Sequence, residues 1–93
     1  MTVVPMNRFG RTLTDREFGK SIAATIVSEY SSPLALDFRG VISLGSSCGD
    51  EILTAVGSKQ GFEIKIMNAN PAVKSCLDKV SVDVKVKAKF ETL

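Results

Sequence analysis

Two adjacent hydroxyl side chains, Ser46 and Ser47, are the pair whose type and spacing best suit a chemical event in this sequence. A serine at a helix start acts as its N-cap or, when a kinase modifies it, carries a phosphate that the helix amides receive. Asp50 and Glu51 follow within one turn and would repel a dianion. This repulsion favours Ser47 as a plain cap over Ser47 as a phosphorylation site, and Ser46 is the second candidate for the phosphate.

The thiol of Cys48 follows the two serines, next to a predicted helix N-terminus, where the pKa of a cysteine can fall. The sequence contains no histidine that could serve as its general base. We therefore expect Cys48 to be partly buried filler, and we expect no enzymatic activity. Cys48 and Cys76 form no C-x-x-C pair, so both thiols are expected to be free. No metal and no cofactor follow from the residues.

Composition limits the other classes of function. A length of 93 residues predicts a single domain, residues 1–93, and 44% apolar residues are enough for a core. A net charge of +2 is too small to indicate nucleic acid by itself, and Trp is absent. There is no signal-peptide pattern and no apolar run of the roughly 20 residues that a membrane span needs. Cytoplasmic location is the default expectation.

A buried strand and a tight loop are predicted to position the serines. Leu34, Ala35 and Leu36 form a continuous apolar run, typical of a strand covered on both faces, and Asp37 ends it. Asp37 either orients the loop by accepting backbone N–H groups or is a solvated charge. Gly40 and Gly45 punctuate the loop, where each can supply a positive φ.

A helix of about Ser47–Val56 is predicted to follow, with Asp50 and Glu51 in its first turn. These carboxylates contact a basic partner or only complement the helix dipole. Arg16, on the preceding helix, either pairs with Asp50 or Asp37 or is solvated.

The remaining pattern predicts strand–helix alternation, β-α-β-α-β-α-β, and so a mixed, mainly parallel four-stranded sheet with three helices. Val80 to Phe90 alternate apolar and polar residues and predict a last strand, and Gly19 suggests a close contact with the sheet. The other predicted elements are an edge strand at Thr2–Val4, a capping box at Thr14–Glu17 that opens the first helix, a strand at Phe62–Met67, and a short third helix from the N-cap Asn70 and Pro71 to about Lys79.

The motifs LDFRGV, SSCGDEIL and, upstream, FGRTLTDR resemble the STAS-like domain family of unknown function, over about Phe9 to Val80. That family is related to the STAS domains of anti-sigma factor antagonists, so the resemblance implies a small STAS-like α/β sandwich. Asp37 matches the strand-end Asp of STAS domains, and Ser46 and Ser47 match their two serines. Gly45 stands in place of the Asp before the serines, and Cys48 in place of the Gly after them.

The resemblance also implies a function. In anti-sigma factor antagonists a partner kinase phosphorylates the second serine, and the phosphate switches binding. We therefore expect a regulatory protein-interaction domain whose partner is a GHKL-type ATPase or another regulatory protein. The expected contact surface is the exposed side of the second helix together with the loop residues Gly45, Ser46, Ser47, Cys48, Asp50 and Glu51.

Two alternatives from other classes stay open. One is a small nucleotide-binding or enzymatic module that uses the same loop, although no Gly-rich phosphate-binding motif is present. The other is a nucleic-acid binder that uses Lys85, Lys87 and Lys89, for which protection of an edge strand is the simpler explanation. Oligomeric state and strand order do not follow from the sequence.

Overall fold

The computed structural model describes residues 1–91. Thr92 and Leu93, the last two residues of the predicted domain, lie outside the described residues. In chain order the elements are β1 (Thr2–Pro5), a 3-10 turn (Met6–Phe9), β2 (Thr12–Leu13), α1 (Arg16–Glu29), β3 (Leu34–Asp37), β4 (Ser43–Leu44), α2 (Ser46–Gly57), β5 (Glu63–Met67), α3 (Pro71–Val84) and β6 (Lys87–Glu91).

The main sheet has the strand order β1-β3-β5-β6, and all three of its pairings are parallel. The predicted α/β fold with three helices and a mainly parallel four-stranded sheet is therefore confirmed. Strands β1 and β6 are its edges. Two short strands, β2 and β4, form a separate parallel pair, which no sequence pattern had indicated.

All three helices lie on one face of the main sheet, because α2 packs against both α1 and α3. Val4, Leu36 and Ile66 share one register row and are fully buried beneath this helical layer. On the other face, Val3 is 44% exposed. The expectation that β3 is covered on both faces was therefore wrong: Ala35 is buried because it is small and lies between the larger side chains of its register neighbours.

Helix α1 begins one residue later than predicted. Its N-cap is Asp15, whose carboxylate accepts the Phe18 N–H at 2.7 Å, rather than Thr14. Gly19 does make a close contact, but with α2 rather than with the sheet. A Cβ at Gly19 would lie 2.8 Å from the Cα and the carbonyl oxygen of Cys48, so only glycine allows the two helix backbones to approach this closely.

Helix α3 starts as predicted and ends later. Asn70 is its N-cap and accepts the Val73 N–H at 2.8 Å. The prediction of a strand from Val80 was wrong, because the spacing of Val73, Leu77, Val80 and Val84 continues a helical stripe and α3 runs to Val84.

Two further corrections concern residues that were assigned to strands. Lys85 adopts a left-handed conformation, φ 58°, that ends α3, and β6 begins only at Lys87. Phe62 has φ 61° and is 54% exposed, so it lies outside β5 and does not share the buried face of Ile64 and Ile66.

Candidate functional site

The loop between β3 and α2, residues 38–45, is fastened to its neighbours by backbone hydrogen bonds. The Phe38 N–H donates to the Met67 carbonyl at 2.8 Å. The N–H groups of Ile42 and Gly45 donate to the carbonyls of Arg11 and Leu13, each at 2.7 Å. These bonds hold the loop between the end of β5 and the segment before α1, so its conformation is set by tertiary structure.

A side-chain amide adds a second attachment. Asn70 Nδ2 donates to the carbonyl oxygens of Val41 at 3.3 Å and Ile42 at 3.1 Å. The same side chain caps α3 through its oxygen, so one residue ties the loop to the start of the third helix.

Asp37 stands at the entrance to this loop. One of its carboxylate oxygens accepts the Arg39 N–H and Asn68 Nδ2, both at 3.0 Å. These are the contacts that a loop-orienting carboxylate makes. Gly40 has φ +85°, and a Cβ there would meet the Asn7 side chain at 3.2 Å. Gly45 does not use glycine's freedom in this way, because its φ is −81°.

The serines are not the cap of α2. The N-cap is Gly45, whose carbonyl accepts the Gly49 N–H at 2.9 Å, and no side chain caps this helix. The prediction of Ser47 as an N-cap was therefore wrong, since both serines already have helical positions. Ser46 is exposed and Ser47 is half-buried. Neither hydroxyl hydrogen-bonds to another group within residues 1–91.

The acidic pair lies in the second turn of α2, not in the first as predicted. Arg16 of α1 reaches it: the guanidinium hydrogen-bonds to the Glu51 carboxylate, and its Nη1 is 3.9 Å from Asp50 Oδ1. Of the alternatives for Arg16, the one with Asp50 is observed, and Asp37 has other partners. The acidic pair is thus already partly neutralised within the molecule.

Cys48 is sealed beneath this surface. Its side chain is fully buried, and its backbone lies against Gly19. Burial, together with a smaller effect of the charge of Asp15, raises the pKa of the Cys48 thiol to about 11. Both Cys48 and Cys76 are free thiols. The helix N-terminus does not produce a thiolate here, because desolvation is the larger effect.

One residue of this surface was missed by the sequence analysis. Ile42 is 52% exposed, although its backbone is held on both sides by Arg11 and Asn70. The sequence carried a partial signal, because Ile42 is a large apolar residue in the predicted loop between Gly40 and Gly45. Ile42 lies in the same fastened loop as Ser43 and Gly45 and so belongs to the candidate surface.

The three lysines predicted for the last strand do not lie on one strand, and one of them is ion-paired. Lys85 is the C-cap of α3 and lies outside the strand. Lys89 pairs with Glu63 at 3.4 Å, and the neighbouring Lys65 pairs with Glu91 at 2.9 Å. Lys85 and Lys87 make no ion pair with another residue in the described part of the chain.

None of the helices in residues 1–91 combines the length and the apolar character that crossing a membrane requires. No protein-family model, no curated protein and no solved structure matches this chain. Function is therefore argued from the site itself.

Proposed function

We propose that this chain is a non-catalytic, regulatory protein-interaction domain that binds a partner protein through Gly45, Ser46, Ser47, Asp50 and Glu51, the exposed side of α2 and the adjacent Ile42. The predicted contact residue Cys48 is fully buried and is not part of this surface. The partner class that the STAS-like resemblance implies is a GHKL-type ATPase or another regulatory protein. The observation that carries the proposal is the exposed Ile42 side chain on a backbone held by tertiary hydrogen bonds.

Such an anchor suits protein recognition on energetic grounds. Ordering a loop on binding opposes association, and a loop that is already ordered avoids this loss. A large apolar side chain at the centre of a contact, surrounded by polar groups, is the usual arrangement of an interface hot spot. The proposed surface also contains polar groups, the exposed Ser46 and the Arg16–Glu51 pair.

A phosphate on Ser47 would act as the switch. Ser47 lies three and four residues before Asp50 and Glu51, hence on the same side of α2. The uncapped helix start leaves its first amides available for a phosphate oxygen. The dianion would also compete with Glu51 for Arg16. Phosphorylation thus exchanges an internal ion pair for a new one and changes the charge that the partner meets.

Affinity capture with quantitative mass spectrometry tests the docking surface. Wild type, Ile42→Asp and Phe62→Asp are compared, because Phe62 is equally exposed but lies outside the proposed surface. We expect a specific partner to be recovered with wild type and Phe62→Asp and lost at least tenfold with Ile42→Asp. Recovery of the same proteins in equal amounts with all three removes the proposed surface.

The switch is tested without the partner, by placing phosphoserine at position 47 and titrating it by phosphorus NMR. Arg16 and the helix amides lower the second pKa of this phosphoserine, ordinarily about 6, whereas Asp50 and Glu51 raise it, so the test is the difference that Arg16 makes. In Arg16→Gln the second pKa should be higher than in the phosphoprotein that keeps Arg16. An identical pKa with and without Arg16 contradicts the exchange of ion pairs.

The two alternative predictions have less support from the same geometry. A triphosphate at the α2 start would face Asp50 and Glu51 with only Arg16 to offset them. Nucleic acid at β6 would meet Lys89, which is already paired with Glu63, and only one further lysine of that strand, Lys87. A thermal shift with ATP or GTP, or retention on DNA at low salt, would revive either alternative.

A further inference from the structure

A cavity of about 440 Å³ lies at the other end of the main sheet, between the C-terminal ends of α1 and α2. Leu34 and Val56 lie at its floor but are only 3% and 1% exposed, so its exposed apolar surface comes from Val27, which is 36% exposed. Leu34 is the first residue of β3, whereas the loop 38–45 follows the last residue of that strand. The cavity is therefore separate from the proposed interaction surface.

The walls of the cavity are held in place by side-chain contacts. The Tyr30 hydroxyl accepts a hydrogen bond from Arg8 Nη1 at 2.8 Å, and the Arg8 guanidinium lies 5.9 Å from the centre of the Tyr30 ring. Gln60 makes two bonds to the backbone of Leu34, accepting its N–H and donating to its carbonyl, both at 3.1 Å. The cavity is therefore preformed, as ligand pockets usually are.

Hydrogen-bond acceptors gather on the α1 side. The Tyr30 N–H satisfies the Ile26 carbonyl, but the carbonyls of Val27, Ser28 and Glu29 receive no backbone N–H within residues 1–91. These three residues line the cavity, and the end of the helix dipole adds negative potential there. This side of the cavity favours a cationic donor.

Groups of the opposite character contribute to the rest of the lining. Lys59 follows α2, and its ammonium group has no carboxylate partner in the described residues. The hydroxyls of Ser31 and Ser32 also line the cavity and make no hydrogen bond within the same range. Glu29 is already paired with Arg8 at 3.0 Å, so the unpaired side-chain charge here is positive.

We propose that this cavity binds a free α-amino acid with an apolar side chain. Its ammonium group would donate to the carbonyls at the end of α1, and its carboxylate would accept from Lys59 and the serine hydroxyls. Its side chain would pack against the exposed Val27. A simple anion is opposed by the α1 end, and a simple cation by Lys59, so a zwitterion is the complementary class of ligand.

Amide-resolved NMR titration of the whole chain tests the proposal with L-leucine and L-phenylalanine as probes. Two control compounds each lack one charge: 4-methylpentanoate has no ammonium group, and 3-methylbutylamine has no carboxylate. We expect saturable shifts around Ser31, Leu34 and Lys59 with a dissociation constant below about 10 mM for at least one amino acid. Each control compound should bind at least tenfold more weakly.

Three variants separate the cavity from other surfaces. Lys59→Met should weaken binding about tenfold, as expected for a lost charge-assisted hydrogen bond. Lys79→Met, which removes an exposed lysine of α3, should leave binding unchanged. Val27→Trp fills the opening from a partly exposed position and should abolish binding. The proposal is overturned if no probe gives saturable shifts, if the shifts map elsewhere, or if Lys59→Met binds as wild type.

Discussion

Helices α2 and α3 both begin beyond the carboxyl end of a strand of the main sheet, and their starts are stabilised in opposite ways. Helix α3 has the local solution: Asn70 caps the first turn, and Pro71 occupies the first helical position. Helix α2 has Gly45 as its N-cap and no capping side chain. Its first turn is held instead by the close approach of Gly19 to the Cys48 backbone.

This difference between the two helix starts bears on the proposed function. A capped start has its first amides and its side chains already engaged, and it presents little for another molecule to bind. At α2 the anchoring contact is on the buried side, so the first amides and the hydroxyls of Ser46 and Ser47 stay unengaged within the described chain. Stability from packing thus leaves one helix start available for recognition.

The packing contact at α2 is broken most directly by Gly19→Ala. The new methyl would lie 2.8 Å from backbone atoms of Cys48, and backbone yields less easily than a side chain. We expect the free energy of unfolding to fall by about 2 kcal/mol, despite the better helix propensity of Ala.

Gly49→Ala is the matched control, because its Cβ would meet only side chains at ordinary contact distances, Leu44 at 3.5 Å and Val80 at 3.8 Å. This variant should be neutral or gain up to about 1 kcal/mol. Urea unfolding of the two variants measures the contrast. Equal stabilities would mean that the Gly19 contact does not anchor α2.

The cap at α3 is tested by Asn70→Ala. This variant loses the bond to Val73 and both bonds to the loop that precedes α2. We expect the free energy of unfolding to fall by about 2 kcal/mol. Asn70→Asp keeps the capping oxygen but has no N–H to donate to the loop, so it should lose about half as much. If Asn70→Asp is as stable as wild type, the loop does not depend on Asn70.

The thiols of Cys48 in α2 and Cys76 in α3 can be used to measure how tightly each helix is packed. Cys48 has a pKa of about 11 in the folded protein, above its ordinary value of about 9, so the unfolded chain loses this proton first as pH rises. The contribution of the protonated Cys48 thiol to the free energy of unfolding is therefore complete below about pH 9 and is lost as the pH rises to about 11. At pH 10 the loss is about 1 kcal/mol, measurable by thermal unfolding against Cys48→Ala.

Alkylation at pH 8 gives a second readout of the same contrast. Cys48 is buried and Cys76 is only half-buried, so iodoacetamide should modify Cys76 first. Peptide mass spectrometry identifies the modified residue. Modification of Cys48 at the same rate as Cys76 would show that the α2 start opens readily.

The smallest effect is expected from giving α2 the cap that it lacks. Gly45→Ser is sterically allowed, because φ is −81° and the nearest atom to a Cβ is the Thr14 Cα at 3.4 Å. It should stabilise the protein by a few tenths of a kcal/mol, whereas Gly45→Ala should destabilise it by up to about 1 kcal/mol. Calorimetric midpoints measure both variants. A reversed order would show that the cap position is wrong.

Local signals in the sequence predicted the parts of the fold that depend on local chemistry. The Asn70–Pro71 start of α3 and the class of the main sheet follow from capping rules and from strand–helix alternation. The alternation after Val80 was misleading, because Val80 and Val84 also continue the helical stripe of Val73 and Leu77, whereas Val82 is 76% exposed. Only tertiary burial decides between these two periods.

The candidate site was predicted less completely, because its geometry depends on contacts between distant residues. The sequence pattern predicts the serines as the cap of α2. The pairing of β2 with β4 instead fixes the loop so that α2 begins one residue after Gly45. The spacing of residues along the chain does not predict that Gly19 contacts Cys48 or that Arg16 hydrogen-bonds to Glu51. The sequence shows that Ile42 is an apolar residue in a predicted loop. It does not show that tertiary hydrogen bonds hold the backbone of Ile42 in place.

The strand order of the main sheet has a consequence for how the molecule assembles. Its four strands are arranged in space as they follow one another along the chain, so each strand–helix unit adds to the edge left by the unit before it. No completed ladder has to open for a later strand to enter. Assembly can therefore advance in one direction as the chain emerges during synthesis, and fraying of β6 leaves the two other pairings intact.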